Sequence, residues 1–181
     1  IYNSYIKNLQ DRFPRLRGGD VHIFNSIYDA TDVYEMRNHV RAVYPALFAK
    51  AEYNRQLTNQ ALVTTENGAI LMENSIVRGV SQVIKSNQVG RDHPMMTGKY
   101  QVLNSLYVLD DYVFFGSSED DQTPFVHANP EPKLAFSWTT IPGLPYSNYA
   151  LIDVNVLEAY LEQAILGTTN TPFDWLSING K

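Results

Sequence analysis

Arg12, Arg15 and Arg17 stand close together in the run Arg12-Phe13-Pro14-Arg15-Leu16-Arg17. Three guanidinium groups at this spacing repel one another and make poor core material. The proline between the first two limits how the backbone can bend. The pattern points to a rigid basic cluster aimed at an anionic partner, although taken alone such a run is more commonly an exposed loop with solvated charges. It continues at once into Gly18-Gly19-Asp20-Val21-His22-Ile23-Phe24-Asn25. His22, between strand-forming neighbours, reads more readily as a hydrogen-bonded packing residue than as a base. Asp110-Asp111 and Glu119-Asp120-Asp121 offer oxygen to a hard cation, but adjacent acidic residues in loops are ordinarily just solvated.

The elements that must position these groups announce themselves by repetition. Tyr2-Asn3-Ser4-Tyr5, Phe24-Asn25-Ser26-Ile27, Glu73-Asn74-Ser75-Ile76 and Leu103-Asn104-Ser105-Leu106 share an Asn-Ser step between strand formers, with the asparagines 22, 49 and 30 positions apart. A step near 22, or twice that plus a loop, is a solenoid period. Asparagine is poor in a strand interior but tolerates left-handed bends, and stacked carboxamides can bond to copies above and below. We read the four copies as an inward-facing asparagine ladder at a repeated corner. Between them lie short strand candidates at Val21–Phe24, Ala61–Thr64, Ala69–Met72, Ser81–Ile84 and Tyr112–Phe115, bounded by Gly, Asn and Asp.

Segment 29–60 lacks clean alternation and is expected to be a long excursion with about one helical turn. Segment 116–148, with five prolines after Gly116-Ser117-Ser118, is expected to be mostly loop. Asp153 to Leu166 reads as a helix: Asp153 caps it, Val154, Leu157, Leu161 and Ile165 form its apolar stripe, and Gly167 ends it.

The 181 residues suffice for a substantial core, and length favours a single domain. A net charge of −5 argues against general nucleic-acid binding and makes the local arginine cluster more noticeable. No apolar run approaches the roughly 18 residues that span a bilayer. With no cysteine, disulfides and thiolate metal sites are excluded, while the compartment stays open. The chain opens without Met on the strand-like Ile1–Ile6, and we expect it to be part of a longer protein.

The arginine run and its Gly19-x-Val21-His22-x-x-Asn25 continuation together resemble the R-x-P-x-x-R segment and following strand of polysaccharide lyase family 1, the pectate and pectin lyases. Phe136-Ser137-Trp138-Thr139-Thr140, then Leu144-Pro145-Tyr146-Ser147 before a short helix, resembles the end of those proteins. The resemblance covers most of the chain but only the second half of a typical member. Asp92-His93-Pro94 looks like a family motif that normally precedes the arginines; here it follows them, and we treat it as coincidence.

The resemblance implies an all-β fold, a right-handed parallel β-helix with a short C-terminal helix. Its coils would occupy residues 1–150, and the helix and tail 151–181 would pack on them. It also implies a secreted enzyme that cleaves polygalacturonate by Ca²⁺-dependent β-elimination. Arg12 would be the catalytic base and Arg17 would bind a substrate carboxylate, with Arg15 in a salt bridge or a subsite. A guanidinium base must shed a proton ordinarily held up to about pH 12, and neighbouring positive charge pushes toward release. No metal ligand is assigned to this chain, because in the family the Ca²⁺ ligands come from coils before the arginine motif. The missing N-terminal portion of the same protein is therefore an expected partner, besides polygalacturonate or pectin. Nucleic acid and membrane are not. A pectin lyase without Ca²⁺, and a non-catalytic polyuronate-binding β-helix, remain open alternatives.

Overall fold

The computed structural model describes residues 1–9, 12–49, 60–66, 68–85, 98–117, 125–127 and 149–166. Short strands fall between the Gly, Asn and Asp punctuation. β1 (Tyr5–Lys7) comes first, then β2 (Arg15–Arg17), β3 (Asp20–Phe24) and β4 (Ile27–Asp29). Helices α1 (Thr31–Val43) and α2 (Pro45–Phe48) intervene before β5 (Gln60–Thr65), β6 (Ala69–Glu73) and β7 (Ile76–Arg78). Next are β8 (Gln82–Lys85), β9 (Lys99–Leu103), β10 (Ser105–Leu109), β11 (Tyr112–Gly116), β12 (Val126–His127) and α3 (Val154–Leu166).

Up to β10, every third strand returns to the same sheet. The first sheet is β3-β6-β9, the second β1-β4-β7-β10-β11 and the third β2-β5-β8-β12. All these pairings are parallel except the closing β10–β11 hairpin, which is antiparallel. Three successive strands thus make one coil, each lying on the coil before it.

The Asn-Ser step sets that stacking. Asn3, Asn25, Asn74 and Asn104 all take the left-handed conformation, with φ of 48°, 47°, 41° and 46°. Asparagine reaches this region more readily than other non-glycine residues. Each bend carries the chain from one sheet to the next, so residues at equal offsets from the asparagines meet in register. Two positions on, Tyr5 pairs with Ile27, Ile27 with Ile76, and Ile76 with Leu106. One position before, Phe24 pairs with Glu73 and Glu73 with Leu103.

The ladder does not face inward as the sequence led us to expect. Asn25 donates to Asn3 Oδ1 at 3.1 Å and to the Ala150 carbonyl at 2.7 Å, while its Oδ1 accepts from Ile152 N–H at 2.8 Å. Asn74 donates to the Ile152 carbonyl at 2.8 Å. These carboxamides therefore bind the strap 149–152 on the outside of the coil. The serines run the coil-to-coil ladder instead: Ser75 Oγ accepts from Ser26 N–H and Ser105 Oγ from Ser75 N–H, both at 3.2 Å.

Inside the coil, Ile23, Tyr28, Leu62, Ile70, Met72, Val77, Ile84, Tyr100, Val102, Tyr107 and Phe125 form one buried cluster, each side chain contributing roughly 1.5–3 kcal/mol through burial. A second cluster lies outside the second sheet, where Leu157 and Leu161 of α3 cover Ile27 and Ile76. There Arg78 forms an ion pair with Asp29 at 2.9 Å and donates hydrogen bonds to Tyr5 Oη at 2.9 Å and to Glu158.

Segment 31–48 is more helical than its sequence implies. Only Val33 of α1 is buried, so the apolar stripe that announces a helix is one residue wide. Local terms hold it instead: Asp29 Oδ1 accepts from Thr31 N–H at 3.0 Å, and Asp32 sits in the first turn. Residues 92–94, 119–121, 136–140, 144–147 and Gly167, together with the side chain of Ile165, lie outside the described residues.

Candidate functional site

The arginine run is fastened to β5 residue by residue. Arg12 N–H donates to the Gln60 carbonyl at 2.7 Å, Phe13 N–H to Ala61 at 2.6 Å, and the Pro14 carbonyl accepts from Val63 N–H at 3.0 Å. Parallel pairing then sets Arg15 opposite Val63, Leu16 opposite Thr64 and Arg17 opposite Thr65. Arg12 itself is left-handed, with φ of 49°, and the Phe13–Pro14 bond is cis.

Alternation decides which side chains face out. Leu16 packs on the interior cluster, so Arg15 and Arg17 project from the opposite, outer face of the third sheet. Arg12 and Arg15 are half-buried and Arg17 is exposed. Gly18 and Gly19, with φ of 70° and 77°, then turn the chain into β3, a conformation that a Cβ would strain. The geometry therefore puts Arg15 and Arg17 on one face, with Arg12 anchored beside the same strand pair.

His22 lies elsewhere, on the outside of the first sheet. It is 4% exposed and shares a 2.8 Å hydrogen bond with Glu73 Oε2. Tyr149 donates to the same oxygen at 2.6 Å. The His22 ring contacts Phe24 at 4.7 Å and Tyr149 at 4.8 Å between centroids. Burial alone would raise the Glu73 carboxyl, but the bonds from His22 and Tyr149 outweigh it and hold the carboxyl below its ordinary range. The same competition at Asp29, between burial and the Thr31 and Arg78 contacts, also ends below the ordinary range.

Sequence reasoning missed Glu73 and Tyr149. Glu73 could have been found by laying the Asn-Ser copies over one another, which puts it opposite Phe24, two residues from His22 and on the same face. Tyr149 gave no signal, because only the folded strap brings it to β6. Among the described residues no group of three or more His, Asp and Glu side chains converges as a metal site, and Asp110, at the β10–β11 turn, accepts instead from Tyr34 Oη at 3.1 Å. Among them too, no helix is long and apolar enough to cross a membrane.

No family model matches the chain. It is 34% identical over 80 residues to pectate lyase B of Paenibacillus amylolyticus, a match that covers 44% of this chain and 20% of that protein. The solved structure of the pectate lyase from Paenibacillus sp. 0602 superposes with a TM-score of 0.69 at 30% identity, covering 87% of this chain and 35% of the other. A thermostable pectate lyase gives a TM-score of 0.47 at 11% identity. The chain thus spans about a third or less of the length of the proteins it matches. On the first two matches the chain is similar to part of the pectate lyases.

Proposed function

We propose that this chain supplies the arginine side of the site of a secreted, Ca²⁺-dependent pectate lyase built on a right-handed parallel β-helix. The observation that carries the reading is the Arg12–Arg17 segment, held to β5 by successive backbone bonds with Arg15 and Arg17 turned out from one sheet face. Its similarity to the Paenibacillus enzymes supports the choice of substrate, a polymer bearing one carboxylate per sugar.

Cleavage by β-elimination requires a base for the C5 proton. The C5–H electrons form the C4–C5 double bond as the bond from C4 to the glycosidic oxygen breaks, and that oxygen then takes up a proton. No water is consumed. In this scheme Arg12 accepts the C5 proton. Arg17 binds the substrate carboxylate, and neutralising it makes the adjacent proton more acidic by stabilising the developing charge. Arg15, beside Arg17 on the outer face, adds to the same field. Among the described residues no group of three or more acidic or histidine side chains could hold calcium, and its ligands are assigned to the coils before the arginine run.

β1, β2 and β3 each form the edge of their sheet at the same end of the stack. Ile1, Tyr2, Leu9 and Phe13 are exposed beside them. Residues 1–3 pair with the end of β3; the remaining parallel edges, unpaired among the described residues and flanked by apolar side chains, are matched by further coils, and we assign those coils to the rest of the same protein.

The test is ultraviolet detection of unsaturated product from polygalacturonate by the whole protein, with Ca²⁺ and with a chelator, beside an Arg12→Lys variant. Calcium-dependent product that Arg12→Lys abolishes is the expected result. Product that survives chelation points to a pectin lyase, and binding without product to a polyuronate-binding β-helix.

A further inference from the structure

Helix α1 turns one side to the first coil and the other to the last. Asp32 in its first turn accepts from Asn8 Nδ2 at 2.9 Å and pairs with Lys7 at 3.7 Å. Tyr34, about 200° round the helix, donates to Asp110 at 3.1 Å in the β10–β11 turn. At about 100° per residue, Met36 and Val43 fall within about 40° of Asp32, whereas Arg41 lies about 180° away. Met36 and Val43 are 52% and 51% exposed, and Leu9, next to Asn8, is exposed too. Glu35 and His39 lie on the same side and are exposed. The first-coil side of α1 is therefore an apolar strip edged by polar groups.

Link lengths account for its exposure. The second and third sheets are joined by residues 8–14 in the first coil and by residues 30–59 in the second. Out and back, the shorter link reaches at most about 12 Å. α1 has 13 residues, about 20 Å of helix, and Val33 is its one buried residue, so it projects from the stack beyond that reach. Only a longer link one coil further up can lie against its outer turns. β1 and β2 are the outermost strands of their sheets at this same end. The chain covers 35% of the pectate lyase structure that it matches at 30% identity.

We propose, resting on the further coils assigned above, that the Met36–Val43 face of α1 docks the coil that precedes β1 in the same protein. The occupant is that coil's link between its second-sheet and third-sheet strands, presenting apolar side chains. The arginine run lies in the first coil. A clasp from the second coil to the preceding one holds it from both sides, in register with the groups that the upstream coils bring.

Because this chain has no cysteine, single variants of the whole protein, Met36→Cys, Val43→Cys and Arg41→Cys, report exposure by thiol alkylation measured against wild type. In the native protein Met36→Cys and Val43→Cys should react about tenfold more slowly than Arg41→Cys, at every protein concentration, and all three alike in denaturant. Peroxide oxidation of Met36 in wild type needs no substitution and should likewise be slow until the protein unfolds. Equal native rates at the three cysteines, or rapid oxidation of Met36, would overturn the docking. Protection lost on dilution would overturn it as well, by making a second copy the occupant. N-terminal sequencing of the mature protein tests the upstream coils themselves: a first residue at Ile1 would remove them and the docking together, whereas accessible cysteines in a longer protein would remove the docking alone.

Discussion

The arginine segment of the third sheet and the Asn-Ser corner between the first and second sheets are built on opposite plans. At the corner, side chains make the structure: Asn25 bonds Asn3, Ala150 and Ile152, and Ser26 and Ser75 bond between coils. Asn25, Ser26 and Ser75 are almost fully buried there. In the arginine segment the backbone makes the structure, through the bonds of Arg12, Phe13 and Pro14 to β5. Its charged side chains are left half-buried or exposed on the outer face. A stacked fold can keep one wall available for chemistry when another wall fixes the register. Substitutions in the two regions should therefore separate activity from stability.

The sharpest separation is Arg12→Lys. On the role proposed for Arg12, loss of a positioned base costs about 10²–10⁴-fold in rate, whereas the backbone bond from residue 12 to Gln60 survives the exchange for lysine. Product formation should collapse while the melting temperature moves by about 2 °C or less. A large drop in melting temperature would show that Arg12 is structural, like the corner.

The converse experiment is Asn25→Ala. It removes three hydrogen bonds and leaves alanine at a φ of 47°. Lost bonds and left-handed strain together should cost on the order of 2–4 kcal/mol, read by denaturant unfolding, with turnover per folded molecule preserved. Asn25→Gly loses the same bonds without the strain and should fall about 1 kcal/mol short of the alanine variant. Equal losses would mean that the backbone bend contributes nothing.

How much of this was legible depended on which plan a region follows. The corner was readable because Asn in a left-handed bend is a sequence signal, and equal offsets from it give the strand register of the first and second sheets. Its facing was not readable, because the partners of Asn25 and Asn74 come from residues 150 and 152, more than seventy positions downstream. The arginine triplet was visible as charge, but its fastening to β5 was hidden by the long excursion between β4 and β5. The helix α1 was hidden for another reason: its single buried residue, Val33, gives no period to detect.

The strap offers a pH test of the corner plan. Glu73 has a carboxyl held below its ordinary value of 4.5 in the folded state. A group depressed on folding stabilises above its unfolded value, and that contribution fades as pH falls through the folded one. His22 and Tyr149 are the groups that face it. Wild type should therefore be more stable than Glu73→Gln near neutrality, and the gap should close as pH drops from about 5 toward 3. Thermal melts of both proteins across that range check it. A gap independent of pH would mean that the Glu73 charge is irrelevant and that shape alone holds Tyr149.

The smallest effect belongs to Glu158, and it decides what kind of force seats α3. Glu158 bonds Arg78, but its side chain is 40% exposed. Pairing with Arg78 holds the Glu158 carboxyl low against the opposing effect of burial. Ion pairs open to water contribute about 1 kcal/mol or less and weaken with salt. Arg78 also keeps Asp29 and Tyr5 when Glu158 is gone, so no cation is stranded. Glu158→Gln should therefore cost well under the Asn25→Ala penalty, and added salt should shrink the difference further. The apolar seat of Leu157 and Leu161 on Ile27 and Ile76 would then carry the helix, with the ion pair fixing only its direction. A Glu158→Gln loss as large as that of Asn25→Ala would reverse this ranking and make charge, rather than directional bonds and burial, the organising force of the corner.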